Sequence, residues 1–228
     1  MPPIFAYGSL ILPTSLVSRF EDLDTSIDDV YQGNTDKNVS IDALEEWEKR
    51  ADRIHYVPAK IWGFRRYYSL ESPRGGTMLE VVRTDDPNDW INGVLIFGLT
   101  EEEQTQVKMT ESVYEFADVR DPKLEFYVDD VTNVDLTAID RIQLFSKFDT
   151  GDQIAATLPR NKTYHSRIIT GIEMIDDMYD TDLAKQFYED FRESTFETAY
   201  DSEDPSEFNT VKENDRIMGD PDWSVRGL

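Results

Sequence analysis

The stretch Ile4-Phe5-Ala6-Tyr7-Gly8-Ser9-Leu10-Ile11 decides how the rest of the chain is read. It is a short apolar strand, broken at one glycine, with a tyrosine and a serine at its end. Glycine has no Cβ, so the backbone can turn sharply there and come close to a ligand. Such a loop suits a small anion held by backbone N–H groups. To do chemistry it needs a reacting group supplied from elsewhere in the chain.

Composition narrows what that group can be. With 228 residues, 39% hydrophobic and 12% aromatic, the chain has the length and apolar content for a folded core. It has no cysteine, which excludes disulfides, thiolate zinc sites, iron–sulfur clusters and cysteine nucleophiles. It has only two histidines, His55 and His165, which argues against an imidazole metal centre. We therefore expect neither metal nor cofactor, and read both histidines as structural or surface residues. No basic leader and no apolar stretch of about 18 residues is visible, so the expectation is a soluble cytoplasmic protein off the membrane.

Asp and Glu number 47 against 23 Lys and Arg, for a net charge of −24. Nucleic acid needs a positive field, so nucleic-acid partners are excluded. The acids are spread from Glu21–Asp29 through Glu101–Glu103 and Asp129–Asp130 to Glu203–Glu213. This spread fits a surface adapted to concentrated salt better than a single acidic interaction tail.

Hydrophobic patterning supplies a coarse map. Ile4–Tyr7 is the first strand, and a helix or loop runs from Leu16 to Phe20. Ile41, Leu44, Trp47, Ala51 and Ile54 recur at helical spacing, with Ser40 placed to cap. Ala59–Leu70 reads as one strand, a turn at Pro73–Gly76 leads to a strand at Thr77–Arg83, and Trp90–Leu99 is another. Thr100 followed by three glutamates starts a helix to about Thr110. Phe116–Val119 and Leu124–Val134 read as strands. From Ile139 onward the pattern turns helical, with Tyr164–Met178 and Leu183–Phe196 the clearest segments. The last 28 residues read as an extended or poorly ordered acidic tail.

Three blocks in order, Phe5-Ala6-Tyr7-Gly8-Ser9-Leu10, then Ala59 with Gly63-Phe64-Arg65-Arg66, then Gly93-Val94-Leu95-Ile96-Phe97-Gly98-Leu99 before an acid-capped helix, resemble the gamma-glutamylcyclotransferase-like family. The resemblance spans roughly residues 4–20 and 59–134. It implies an α+β fold built on a small mixed β-barrel with flanking helices, the BtrG-like fold, here with extra C-terminal helices. The implied organisation is a catalytic domain over 1–135 carrying an acidic insertion at 21–58, a helical extension over 136–200 packed on it, and a tail from 201 to 228. The resemblance assigns Tyr7, Gly8, Ser9 and Leu10 to the substrate loop, and Glu111, in Val107-Lys108-Met109-Thr110-Glu111, to the acid/base position. Lys108 departs from the family's usual aspartate and Ser112 from its frequent glycine. Tyr114 and Tyr164 match tyrosines that line the pocket.

The implied reaction needs nothing this composition lacks. The free α-amine of a γ-glutamyl group attacks its own side-chain carbonyl, giving 5-oxoproline and releasing an amine. The nucleophile belongs to the substrate; the protein holds the substrate folded and moves protons. Glu111, walled by Val107 and Val113, would serve as base and then acid, while the N–H groups of Gly8–Leu10 would hold the substrate carboxylate. A non-catalytic relative that binds a small carboxylate, or an interaction protein on the same fold, remains the alternative. Arg65 and Arg66 lie on opposite faces of a strand, so at most one reaches a pocket.

The charge distribution makes one prediction independent of the fold. Screening lengths shrink to about 3 Å at about 1 M salt, so self-repulsion should fade as salt rises. The thermal midpoint is expected to climb between about 0.1 M and about 3 M KCl, and a level or falling midpoint would refute adaptation to salt.

Overall fold

The first strand, β1 (Ile4–Ala6), is apolar throughout because both of its faces are covered: all three residues are buried. It lies inside a six-stranded sheet, antiparallel to β5 (Trp90–Phe97) with Ile4 opposite Ile96, and parallel to β8 (Arg141–Ser146) with Ile4 opposite Gln143. The computed structural model describes residues 1–20, 41–72, 75–84, 86–111, 114–146, 158–179, 182–198 and 208–212. Ser40, Pro73, Ser112, Val113 and most of the acidic tail lie outside these residues.

Outward from β1, β5 pairs with β2 (His55–Trp62) over eight residues, and β2 pairs with the short edge strand β7 (Leu124–Phe126). On the other side, β8 pairs with β6 (Glu115–Arg120). A second sheet has the order β10 (Phe208–Thr210), β9 (Thr195–Thr198), β3 (Phe64–Glu71), β4 (Thr77–Arg83). The chain passes between the sheets at Gly63, whose φ of +84° admits a side chain only with strain. At the other side the Ser146 hydroxyl of β8 donates to the Val81 carbonyl of β4 at 2.5 Å. The fold is therefore α+β and mixed, with its strands in a six-stranded and a four-stranded sheet linked at these points and helices packed around them.

Among the described residues five α-helices complete it: α1 (Pro13–Val17), α2 (Ile41–Glu48), α3 (Glu101–Thr110), α4 (Lys162–Tyr179) and α5 (Leu183–Glu193). In α4, Tyr164, Ile168, Ile172 and Ile175 are buried; in α5, Ala184, Phe187, Tyr188 and Phe191 are. Both sets follow three- and four-residue spacing, which gives each helix one apolar face for the core. No helix among the described residues is long and apolar enough to cross a membrane.

Four expectations are corrected. The helix expected over Ile41–Ile54 ends at Glu48, where the chain passes into turns closed by Arg50 N–H to Trp47 O and Ile54 N–H to Arg50 O before β2 begins. The strand expected at Ala59–Leu70 is two strands, β2 and β3, separated at Gly63. The strand expected at Leu124–Val134 stops at Phe126; beyond it only an isolated Val131–Val134 bridge forms. The segment after Ile139 starts not with helix but with β8, whose burial beside β1 overrides its ambiguous pattern. Within the expected tail, Phe208–Thr210 forms β10.

Arg66 and Arg65 take opposite faces of β3, as strand alternation requires. Arg65 pairs with Asp89 at 2.8 Å. Arg66 is fully buried and binds neutral acceptors from four elements besides its own. Nε donates to the Thr195 hydroxyl at 2.7 Å, and Nη1 to the Asn92 carbonyl at 2.6 Å and the Tyr7 carbonyl at 3.4 Å. Nη2 donates to Asn92 Oδ1, Phe191 O and the Ser194 hydroxyl at 2.9, 3.2 and 3.0 Å. The cation also lies 4.0 Å from the Phe191 ring centre. Burial pulls it down to about 9, against the opposing effect of nearby phenols, so it stays charged at neutral pH. Arg66→Leu would leave these acceptors buried without a donor and is expected to cost about 3–5 kcal/mol in denaturant titration. Arg66→Lys, which cannot reproduce the planar fork, should recover only part of that.

Candidate functional site

The candidate site begins where β1 ends. Gly8 (φ −128°, ψ −139°) leads into a single 3-10 turn, Ser9–Ile11, closed by Ile11 N–H to Gly8 O at 2.9 Å and Leu12 N–H to Ser9 O at 3.2 Å. The leading N–H groups of any helical turn have no acceptor within the turn, and here they belong to the Gly8–Leu10 segment. The Gly8 backbone angles are open to other residues; space is what demands glycine. A Cβ at Gly8 would come within 2.3 Å of the Tyr164 hydroxyl. Tyr164 is carried there by α4, whose first turn is anchored by Asn161: Asn161 Oδ1 accepts from Tyr164 N–H at 2.9 Å, and its Nδ2 donates to Gly75 O at 2.7 Å. Ser9 and Leu10 are buried in the turn against α4.

Glu111 is delivered by α3. Thr100 starts this helix with a capping box: its hydroxyl accepts from Glu103 N–H at 3.2 Å while the Glu103 carboxylate accepts from Thr100 N–H at 2.8 Å. At the far end Glu111 is the C-cap, its N–H bonded to Val107 O at 3.0 Å, and its own carbonyl accepts from Tyr114 N–H at 2.9 Å. The Glu111 carboxylate is bound by Arg19, whose Nε and Nη2 lie 2.6 and 2.5 Å from Oε1. Lys108, the departure from the family pattern, places its ammonium 4.1 Å from the Phe116 ring centre.

Tyr114 donates its hydroxyl to the Leu79 carbonyl of β4 at 2.8 Å. Burial raises the phenols of Tyr7 and Tyr114 well above the usual tyrosine range, and the charges of Glu111 and Glu80, together with Tyr164, push both further in the same direction. Tyr7, Tyr114, Tyr164 and Glu111 thus share one electrostatic neighbourhood, although Tyr7 and Glu111 come from strands and helices remote in sequence. Two members escaped sequence reasoning. Glu80 is buried on β4 and accepts from the Ser69 hydroxyl at 2.8 Å; its one signal was a carboxylate inside an apolar strand. Arg19 carried no signal at all, being one cation near the end of a short helix.

His165 is buried, with Nδ1 2.5 Å from the Tyr68 hydroxyl. Burial, helped by the Arg160 cation, pulls it down to about 3, so it is neutral at any physiological pH. An open groove of about 580 Å³ runs along β7, lined by Trp62, Lys123, Phe126 and neighbours, and it contains none of the candidate site residues.

No protein-family model matches the sequence, and no curated protein matches it. Among solved structures the chain is similar to a gamma-glutamyl cyclotransferase at 11% identity and TM-score 0.46, covering 82% of this chain and 85% of that one. It is also similar to a solution structure from Arabidopsis thaliana at 14% identity and TM-score 0.38, covering 81% and 84%. A yeast gamma-glutamyl cyclotransferase specific to glutathione matches at 12% identity and TM-score 0.37, covering 83% and 97%.

The contact between Gly8 and Tyr164 is directly testable. Gly8→Ala is expected to destabilise by about 1–3 kcal/mol through overpacking. Removing the hydroxyl with Tyr164→Phe in the same chain should return much of the loss. A double-mutant cycle in urea reads the coupling, and simple additivity of the two changes would mean that the contact does not set the glycine requirement.

Proposed function

We propose that this chain is a cyclotransferase that converts a γ-glutamyl amine or peptide to 5-oxoproline and a free amine. What supports the proposal is that the Tyr164 hydroxyl stands against Gly8, and that the Glu111 charge acts on the buried phenols of Tyr7 and Tyr114. In this mechanism the substrate carboxylate sits on N–H groups of Gly8–Leu10. Glu111 takes a proton from the substrate ammonium, and the freed amine attacks the γ-carbonyl carbon. The new C–N bond closes the five-membered ring. The bond to the leaving nitrogen then breaks as Glu111 returns a proton to it, and the second proton lost by the ring nitrogen leaves with the amine as its ammonium.

The amine and the carbonyl already belong to one molecule, so holding the substrate folded contributes by freezing its rotatable bonds in a near-attack conformer. Proton transfer by a placed carboxylate adds about 10²–10⁴-fold. The buried phenols stay protonated and so act as hydrogen-bond donors and walls, not as bases.

A second reading is favoured by the Arg19–Glu111 ion pair: a carboxylate already neutralised by a guanidinium also suits a protein that binds a small carboxylate without turning it over. Incubation with γ-glutamyl dipeptides in dilute and concentrated salt separates the two. Release of 5-oxoproline is expected, and Glu111→Gln should lower kcat by about 10²–10⁴-fold while substrate still binds. Binding without product in either buffer would establish the second reading.

A further inference from the structure

Glu111 stands at an electrostatically awkward place. As C-cap of α3 it meets the last carbonyls of that helix, which carry partial negative charge, so an ionised carboxylate there calls for a cation beside it. Lys108, in the last turn of the same helix, is turned onto the Phe116 ring. The cation comes instead from Arg19, 92 residues away in sequence.

The geometry of that pair is one-sided. Nε and Nη2 of Arg19 converge on the same oxygen, Oε1, at 2.6 and 2.5 Å, and do not straddle the two oxygens as a fork would. The remaining terminal nitrogen, Nη1, donates to the Ser15 carbonyl of α1 at 3.0 Å. The guanidinium therefore joins the carbonyl end of α1 to the carbonyl end of α3. Helix α1 follows the Gly8 turn after a single residue, Leu12, so whatever holds Glu111 to α1 also sets its distance from the substrate loop. Both side chains are largely buried, at 11% and 13% exposed, which keeps the pair from being screened like a surface salt bridge.

We propose that Arg19 is the positioning residue for Glu111: it grips the carboxylate through Oε1, registers it against the Gly8 turn, and leaves Oε2 to exchange the proton with the substrate nitrogen. This rests on the cyclotransferase reading of the site. Proton transfer demands hydrogen-bond reach, and a displacement of about 1 Å can cost about 10²-fold. Arg19 accordingly acts on kcat through Glu111 and not by touching the substrate.

The test uses the full chain, γ-glutamyl-alanine as substrate and 5-oxoproline as readout. Arg19→Ala is expected to lower kcat by about 10²-fold with KM changed much less. Added guanidinium ion at about 50 mM should restore part of the rate to Arg19→Ala and none to Glu111→Gln, with equal NaCl as control; rescue by a free cation is something a merely structural role would not show. Arg19→Gln, which keeps most of the side-chain length, is the second variant should Arg19→Ala fail to fold, and the same kcat loss is expected. Near-native kcat in either variant, or loss without guanidinium rescue in a folded Arg19→Ala, overturns the proposal, and so does failure of both variants to fold. If instead Glu111→Gln turns over normally, or the native chain makes no 5-oxoproline, the cyclotransferase reading itself falls.

Discussion

The strand that leads into the candidate site is tied to one buried cation. The Arg66 guanidinium reaches the end of β1 at Tyr7, the middle of β5 at Asn92, the last turn of α5 at Phe191 and the start of β9 at Thr195. A buried charge is tolerated only where its donors find acceptors. Here the acceptors are backbone carbonyls, hydroxyls and one amide, with the negative end of a helix facing the cation. Satisfying one side chain thus forces four elements into fixed relative positions. The strand that delivers the glycine turn is one of them.

A second layer of constraint works at the turn itself. Helix α4 brings the Tyr164 hydroxyl against Gly8, and Asn161 fixes the start of that helix to the loop at Gly75. Helix α3 carries Glu111, and Arg19 connects it to α1. Burial keeps the phenols of Tyr7 and Tyr114 protonated. The site is made of contacts between elements and not of any single motif.

Some of this was legible in the sequence because the signals are local. The helix start at Thr100 with its three glutamates, the apolar stripes of α4 and α5, and the alternation of Arg65 and Arg66 all depend on neighbours within one element. Where the sequence misled, competition between distant segments decided. Residues 49–54, expected to continue helix α2, instead form the turns that lead into β2 and its pairing with β5. The Arg141–Ser146 segment is a strand because it lies beside β1, a partner over a hundred residues away. Glu80 and Arg19 were missed for the same reason: a carboxylate or a cation is generic in a chain of net charge −24 until its surroundings are known.

The sequence by itself determined the acidic surface, the absence of thiol chemistry, the glycine turn after β1 and the helix that ends at Glu111, since composition and short-range spacing suffice for these. Only the tertiary structure decided that Tyr164 stands on Gly8, that Arg19 holds Glu111 and that Arg66 binds the sheets to the helices. Each of those is a close contact between residues remote in sequence, and such contacts exist only after packing has brought their elements together.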